Sequence, residues 1–317
     1  METPPTIRPY RVDDLGGVLG TLKTALGETP ILKRTPALWA WKHEHNPFGP
    51  SLVLVAEVGG RVAGVRALMR WDLSLPDGTT LRCLRAVDTA THPDFERRGI
   101  FRKLTNEAVD LAREDGYDLI FNTPNDRSGA GYLTMGWRRV GTIGVMLRPL
   151  VSRGVEVDPD SPPDPTDFFD PVPPPFVPGE DQPRSSPGLR TPRSREYLSW
   201  RFNGHPFVRY RAISSHGATV LARANVRNGR KEVVISDILG RAKRSAVAHL
   251  ARMARAAYVA AWFSPRSPER RAALLAGMVP LPGVRALTMV ARPLRELPID
   301  VFDLTNWDLA MSDLELL

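Results

Sequence analysis

The alternation of apolar and polar residues predicts strands and helices in turn over the first 150 residues. Residues Thr6 to Pro9 predict a short strand, and the turn after it predicts an amphipathic helix with Asp13 as its N-cap. The segment 34–51 predicts a second helix that ends at Asn46-Pro47. Two apolar runs then meet at Gly59-Gly60, which is a strong signal for a β-hairpin.

A strand over 80–90 leads into a long and regular helical pattern from Gly99 to Arg113. The apolar face of this helix is formed by Ile100, Leu104, Ala108 and Leu111. After Gly116 the pattern predicts a buried strand over 117–125, a short helix that ends at Gly136, and a closing strand over 142–150.

The segment 151–192 differs from the rest because it is dense in proline, aspartate and serine and has little periodic apolar pattern. It predicts a linker or an extended wrapping segment. Its phenylalanines predict that parts of it dock on a folded surface; they are Phe168, Phe169 and Phe176.

The second half of the chain repeats features of the first. LWAWKHEHNPF (38–48) matches YLSWRFNGHPF (197–207), with Trp41 and Trp200 at equal spacing from Pro-Phe. GWRRVGTIGVMLRPL (136–150) matches GMVPLPGVRALTMVARPL (277–294). Two matches in the same order predict a tandem repeat of one fold. The alternative is a chance likeness between aromatic-rich helices and common strands.

The segment FERRGIFRKL (95–104) has no counterpart in the second half, where Gly240 runs directly into a helical pattern. A feature that one copy of a fold lacks is better explained by binding than by folding. A glycine and two arginines at a helix start offer free amides and charge to a pyrophosphate. The alternative is a basic first turn on a solvated helix.

Composition narrows the class of protein. The chain has a net charge of +8 and 42% hydrophobic residues, which is typical of a globular protein with acidic partners. A single cysteine, Cys83, excludes an internal disulfide and favours a reducing cytoplasm. The N-terminus shows no apolar signal segment, and no stretch is apolar enough to predict a membrane span. Nucleic-acid binding ranks low because no known motif accompanies the arginines.

VDTATHPDFERRGIFRKL (87–104) resembles motif A of the GNAT superfamily of acyl-CoA N-acyltransferases, and the resemblance continues through YDLIFNTPN and GYLTMGW. It implies an α/β (α+β) fold with a mixed, mostly antiparallel sheet flanked by helices, in two tandem copies. The implied domains are a catalytic GNAT domain at 1–150, a linker at 151–192 and a degenerate GNAT-like domain at 193–317. Phe101 and Glu96 depart from the usual pattern, and this variant is similar to the Eis-like branch.

The resemblance also implies site residues. The CoA pyrophosphate would be held by Arg97, Arg98, Gly99, Ile100, Phe101 and Arg102. The strand edge Thr89-Ala90-Thr91 would bond the pantetheine arm. Tyr132, four residues before Gly136-Trp137, would protonate the departing thiolate, unless it is only a half-buried aromatic of the helix.

Other polar residues keep two interpretations each. Asp88 is a candidate general base, or it faces away and serves the fold. Asn122 and Asn125 orient a water or the substrate, or they cap the following helix, and Asn125 is also a candidate cofactor-binding residue. His43 and His45 are predicted to be surface or core histidines, because no second cluster at ligand spacing predicts a metal site.

Three tryptophans either line an acceptor pocket or belong to the core, namely Trp39, Trp41 and Trp71. Cys83 is predicted to be a buried small hydrophobe and not a nucleophile. The function predicted from these residues is acetyl transfer from acetyl-CoA to a primary amine on a small molecule or peptide. The alternative is a protein of GNAT fold that binds acyl-CoA without catalysis.

Overall fold

A computed structural model describes residues 4–29, 32–150, 163–179 and 187–314, without the side chains of Asp126 and Arg127. The strands, in chain order, are β1 (Thr6–Pro9), β2 (Leu52–Val58), β3 (Arg61–Arg70), β4 (Leu73–Ser74), β5 (Thr80–Leu81), β6 (Cys83–Thr91), β7 (Leu119–Asn122), β8 (Arg138–Ile143), β9 (Val145–Pro149), β10 (Tyr210–Ser215), β11 (Ala218–Arg227), β12 (Arg230–Gly240), β13 (Tyr258–Ala261), β14 (Val279–Leu281) and β15 (Leu287–Pro293).

The helices alternate with these strands. In chain order they are α1 (Leu15–Leu26), α2 (Pro36–His43), α3 (Ile100–Glu114), α4 (Asp126–Thr134), α5 (Arg195–Phe202), α6 (Lys243–Met253), α7 (Pro268–Leu275) and α8 (Met311–Leu314). Among the described residues, no helix combines the length and the apolarity that a membrane span requires.

Two sheets of the same design carry the fold. The first has the order β1-β2-β3-β6-β7-β15-β8, and the second has the order β10-β11-β12-β13-β9-β14. Most neighbours are antiparallel, but β6 with β7 and β12 with β13 are parallel. The mixed, mostly antiparallel α/β arrangement with a tandem repeat is therefore confirmed.

The last strands of the two halves are exchanged. Strand β9 lies between β13 and β14 in the second sheet, whereas β15 lies between β7 and β8 in the first sheet. The single closing strand predicted over 142–150 is wrong, because Gly144 breaks it into β8 and β9, which belong to different sheets.

Contacts between Cα atoms divide the chain into two compact units. The first comprises 1–73, 79–140 and 289–302, and the second comprises 74–78, 141–288 and 303–317. These units are not contiguous in sequence because of the exchanged strands. The domain boundaries at 150 and 192 stay a prediction.

The first unit has apolar layers on both sides of its sheet. Helix α3 places Ile100, Leu104 and Ala108 in one layer, as the sequence predicts. Helix α1 places Val18 and Leu22 in the other. Because the sheet is covered on both faces, strand β3 reads as a nearly continuous apolar run.

The start of α1 differs from its prediction. A short 3-10 turn, Val12–Asp14, precedes the helix, which begins at Leu15. Asp13 is therefore not the N-cap. Asp14 closes the turn instead, because its carboxylate accepts the backbone N–H of Arg11 at 2.8 Å and the guanidinium of Arg8 at 2.7 Å.

The second unit has its own core around β11, β12 and α6. Phe168 and Phe169, from the predicted linker, belong to this core, and Phe176 is also buried. The prediction that this segment docks on a folded surface is confirmed for these residues. Residues 151–162 and 180–186 of the same segment lie outside the described residues.

Candidate active site

A cleft opens in the first sheet where β6 and β7 part. The two strands pair only over three residues, from Cys83 with Leu119 to Arg85 with Phe121. Strand β6 continues to Thr91 without β7 beside it, and the space between them has a volume of about 580 Å³. Its walls come from the end of α1, the second half of β6, the start of α3, the end of β7 and α4.

A β-bulge shapes the β6 wall of the cleft. Val65 pairs with Ala90 and Ala67 with Val87, so Arg66 alone faces two residues of β6. One of them, Asp88, takes the positive φ of 40° that the extra residue demands. The bulge turns Asp88 and Thr89 toward the cleft, where both are lining residues.

The loop between β6 and α3 is held down by Phe95. This ring is buried, and the guanidiniums of Arg61 and Arg98 stack on it at 5.1 and 5.3 Å. Arg98 is consequently outside the set of residues that line the cleft, whereas Arg97 and Glu96 are in it.

The start of α3 faces the cleft with free amides. Arg97 and Gly99 both have positive φ, of 63° and 71°, and no side chain caps the helix. The first amide that bonds within this end of the helix is that of Lys103, to the carbonyl of Gly99 at 3.0 Å. The preceding amides, from Ile100 to Arg102, therefore remain available to an anion.

The left-handed backbone conformation explains the glycine at position 99, and a lack of space for a side chain does not. A Cβ built there would meet nothing within 4 Å, so the space beside the helix start is open to a ligand. In the second unit, only two residues separate the end of β12 at Gly240 from the start of α6 at Lys243. The predicted absence of a matching loop in the second half is confirmed.

Phe101 has a structural reason to be large. Its ring packs against the backbone of Gly131 in α4, where an added Cβ would lie 2.9 Å from the ring. The same ring contacts Tyr132 edge-on, with centroids 5.6 Å apart. Phe101 thus fills the space between α3 and α4 and supports the position of Tyr132.

Tyr132 is 3% exposed and lines the cleft. Trp137 packs on its other side with centroids 5.1 Å apart. Its hydroxyl oxygen accepts a hydrogen bond from Nη1 of Arg66 at 2.5 Å, and the same nitrogen donates to Oγ1 of Thr89 at 2.7 Å. A buried arginine therefore links the bulge to the tyrosine.

Asp88 is the centre of a buried charge cluster. Its Oδ1 accepts from Arg34 at 3.2 Å, and its Oδ2 accepts from Lys42 at 3.0 Å and from Nε2 of His43 at 3.1 Å. Burial alone would raise the pKa of Asp88, but Lys42, His43 and Arg34 outweigh it and hold the pKa far below its ordinary value. Such a carboxylate is a weak proton acceptor.

His43 is a core histidine bonded to this cluster. Burial lowers its pKa, which favours the neutral ring. Because Asp88 can only accept, the hydrogen lies on Nε2, and Nδ1 accepts from Oγ of Ser51 at 2.9 Å. His45 is exposed, and the described residues contain no group of three potential ligands that would hold a metal ion.

The second unit has a comparable pair. Arg193, at the position of Arg34 in the repeat, contacts Asp237 at 2.7 Å, and Asp237 lies at the bulge of β12. Because the unit without the arginine–glycine loop keeps an Arg–Asp pair at its bulge, the pair is explained by the fold. This observation favours the structural interpretation of Asp88.

Asparagines mark the end of β7 and the start of α4. Oδ1 of Asn125 accepts the backbone N–H of Ser128 at 3.0 Å, so Asn125 caps α4 as well as lining the cleft. Asn122 is buried at the cleft, and its Oδ1 has no hydrogen-bond partner among the described residues.

The cleft gathers most of the residues predicted from the sequence. Those in its lining are Asp88, Thr89, Ala90, Thr91, Arg97, Gly99, Ile100, Phe101, Arg102, Asn125 and Tyr132. Their roles stay predictions. The tryptophans considered for an acceptor pocket, Trp39, Trp41 and Trp71, are buried and do not line this cleft. Cys83 is buried as predicted, and burial raises its pKa.

Sequence reasoning missed the residues behind the lining. Arg66 in β3 contacts Tyr132 of the lining. Arg34, which precedes α2, and Lys42, in α2, both contact Asp88. A signal was present in β3, where Arg66 interrupts an apolar run.

Comparison with known proteins decides the family of the first part of the chain. Residues 6–140 match the family profile described as "Acetyltransferase (GNAT) domain". These residues are a GNAT domain. The GNAT domain thus contains the whole cleft, and its family chemistry is acyl transfer. No curated protein sequence matches this chain.

The fold of most of the chain is shared with solved structures. A GCN5-related N-acetyltransferase from Anabaena variabilis is 11% identical with a TM-score of 0.61, and Eis1 from Mycobacterium abscessus is 13% identical with a TM-score of 0.57. A GCN5-related N-acetyltransferase from Kribbella flavida is 14% identical with a TM-score of 0.58. Each match covers 92% of this chain and 72–73% of the other. At these identities the likeness shows the fold.

Proposed function

We propose that this protein transfers an acetyl group from acetyl-CoA to a primary amine on a small molecule or peptide. The observation that carries the proposal is the start of α3, where left-handed Arg97 and Gly99 leave helix amides free beside a cleft of about 580 Å³. A pyrophosphate is the anion that such a helix start suits.

The residues around the cleft fit the parts of acyl-CoA. The amides from Ile100 to Arg102 and the guanidinium of Arg97 offer donors and charge to the pyrophosphate. The stretch of β6 from Ala86 to Thr91 has no β7 beside it, so its backbone can pair with an extended pantetheine arm. Bound acyl-CoA supplies the acyl group as a thioester.

Tyr132 is proposed to hold the proton that the leaving thiolate needs. Tyr132 lines the cleft, and its hydroxyl hydrogen has no acceptor among the described residues. Asp88 is an unfavourable base because its ion pairs with Arg34 and Lys42 stabilise the carboxylate and so lower its affinity for a proton. We therefore expect the amine to reach the cleft neutral or to lose its proton to water.

A thermal-shift experiment tests the binding step. Acetyl-CoA at 100 times its Kd adds about 2.7 kcal/mol of stability and should raise Tm by several degrees. Arg97→Glu reverses a charge in the cleft and should remove most of this rise. Arg139→Glu makes the same change at an exposed residue outside the cleft lining and should leave it intact.

Thiol release from acetyl-CoA across a panel of amines tests catalysis. Tyr132→Phe should lower kcat by about 10²-fold or more, with little change in acetyl-CoA affinity. A protein that only senses acyl-CoA would bind it and release no thiol with any amine. The absence of a Tm shift with any CoA thioester would exclude the proposal.

A further inference from the structure

Arg66 is a buried arginine that no motif in the sequence includes. It lies in the middle of β3 and has no exposed surface. Its Nη1 donates to the hydroxyl of Tyr132 at 2.5 Å and to that of Thr89 at 2.7 Å. Both acceptors line the cleft, so Arg66 lies directly behind the proposed acid.

The charge of Arg66 is not neutralised by the protein. In the described part of the chain no carboxylate pairs with it, and its Nε and Nη2 have no hydrogen-bond partner. A buried cation without a counter-ion is costly for folding. Retention of such a residue at a cleft needs a reason other than stability.

The hydrogen bond from Arg66 fixes the polarity of the Tyr132 hydroxyl. Arginine has only donors, so the tyrosine oxygen has to accept. The hydroxyl hydrogen of Tyr132 must then point away from Arg66, and no described residue accepts it. The hydroxyl hydrogen of Thr89, unlike that of Tyr132, has an acceptor, because it is donated to the carbonyl of Val87 at 3.2 Å.

The second unit has an apolar residue where the first has Arg66, although β11 also carries a buried arginine, Arg223, two positions further on. Leu221 stands before the bulge of β11 as Arg66 stands at the bulge of β3. The residue four before Gly277 is Ala273, and its carbonyl accepts from Met278 as that of Tyr132 accepts from Trp137. At these two matching positions the second unit therefore has neither the tyrosine nor the arginine.

We propose that Arg66 is a positioning residue for Tyr132 in acyl transfer, a role that rests on the function proposed above. Arg66 keeps the hydroxyl hydrogen of Tyr132 directed away from itself. When the thiolate leaves, the O–H bond of Tyr132 breaks and an S–H bond forms. The phenolate beside the Arg66 cation then regains a proton from solvent.

A double-mutant cycle on kcat tests the coupling of the two side chains. Arg66→Met keeps the length of the side chain and removes its donors and charge. We expect kcat to fall about tenfold or more, with KM for acetyl-CoA within about threefold of the wild type. In the Tyr132→Phe background, which has no hydroxyl to orient, the same change should lower kcat less than twofold.

Measurements without turnover separate this role from a structural one. Since Arg66→Met removes a buried unpaired charge, its Tm without ligand should equal or exceed that of the wild type. Acetyl-CoA affinity by calorimetry should also be kept. Arg66→Lys, which retains a cation and donors, should recover part of the lost kcat and serves as the second variant if the methionine protein does not fold.

Several results would overturn the proposal. One is an unchanged kcat in Arg66→Met. Another is a double variant whose loss of kcat equals the product of the two single losses. The third is a drop in Tm of Arg66→Met together with parallel losses of kcat and acetyl-CoA affinity. If the wild type binds acetyl-CoA but releases no thiol to any amine or to water, the proposed function fails and the role of Arg66 fails with it. If the wild type turns over and only the cycle is additive, the role of Arg66 alone is refuted.

Discussion

Replacing Asp88 by asparagine should destabilise the protein strongly, whatever happens to catalysis. The carboxylate is held between Arg34 and Lys42 at 3.2 and 3.0 Å, and all three side chains are less than 10% exposed. Asparagine keeps the shape but leaves both cations without a buried counter-charge. Breaking a buried ion pair in this way costs about 3–5 kcal/mol.

This cost should be plain in equilibrium unfolding. At about 2–4 °C per kcal/mol, it corresponds to a Tm lower by roughly 6–20 °C. We suggest urea unfolding at pH 7 followed by tryptophan fluorescence, to which Trp39 contributes with its ring 4.1 Å from that of His43. Asp72→Asn is a matched control, because burial raises the pKa of Asp72 and the loss of its charge should cost less than about 1 kcal/mol.

The same experiment decides between the two interpretations of Asp88. A loss of stability with turnover preserved in the folded fraction supports a structural carboxylate. A change in the free energy of unfolding below about 1 kcal/mol, together with lost turnover, would refute the reasoning and restore Asp88 as a base.

Two further predictions concern the helix α4 and the histidine of the cluster. Gly131→Ala should lower kcat because its Cβ would lie 2.9 Å from the Phe101 ring that supports Tyr132. Gly129→Ala is the control: its Cβ would meet nothing within 4 Å, so it should be neutral or stabilising by up to about 1 kcal/mol. Equal kcat values in the two variants would refute this prediction. Because the folded pKa of His43 is lowered, the unfolded chain binds its proton first, so stability should fall as the pH drops below about 6.5, by at most about 1.4 kcal/mol per unit. His43→Asn should flatten this dependence in unfolding curves between pH 7 and pH 5, and an unchanged slope would count against the buried neutral ring.

Local features of the site were readable in the sequence. The start of α3, from Arg97 to Gly99, is a continuous segment whose conformation follows from its own glycine and from the helix pattern after it. The cleft lining around Thr89 and Tyr132 could be predicted because a family resemblance covers those segments.

Features that depend on pairing between distant strands were not readable. Arg66 reaches Tyr132 only because a bulge sets it opposite Asp88 and Thr89, and the position of a bulge is fixed by the pairing of two strands. The cluster of Asp88 joins segments more than 40 residues apart. The prediction of Asp13 as the cap is wrong because the sequence does not show the 3-10 turn that precedes α1.

The exchange of β9 and β15 was hidden by the repeat itself. The two strands are alike in sequence and end in the same Arg-Pro-Leu, so neither pattern indicates which sheet takes which strand. Only the hydrogen-bonded neighbours in the folded chain resolve that choice.

The position of β15 has a consequence for synthesis on the ribosome. The first sheet cannot be completed until Leu287–Pro293 has emerged, which is roughly 7–30 s after residue 150 at about 5–20 residues per second. During that time β7 has an open edge in the nascent chain, and β9 is the similar strand already at hand. Early pairing of β9 with β7 would occupy the place of β15, so a chaperone that delays the closure of this edge should raise the yield of native protein.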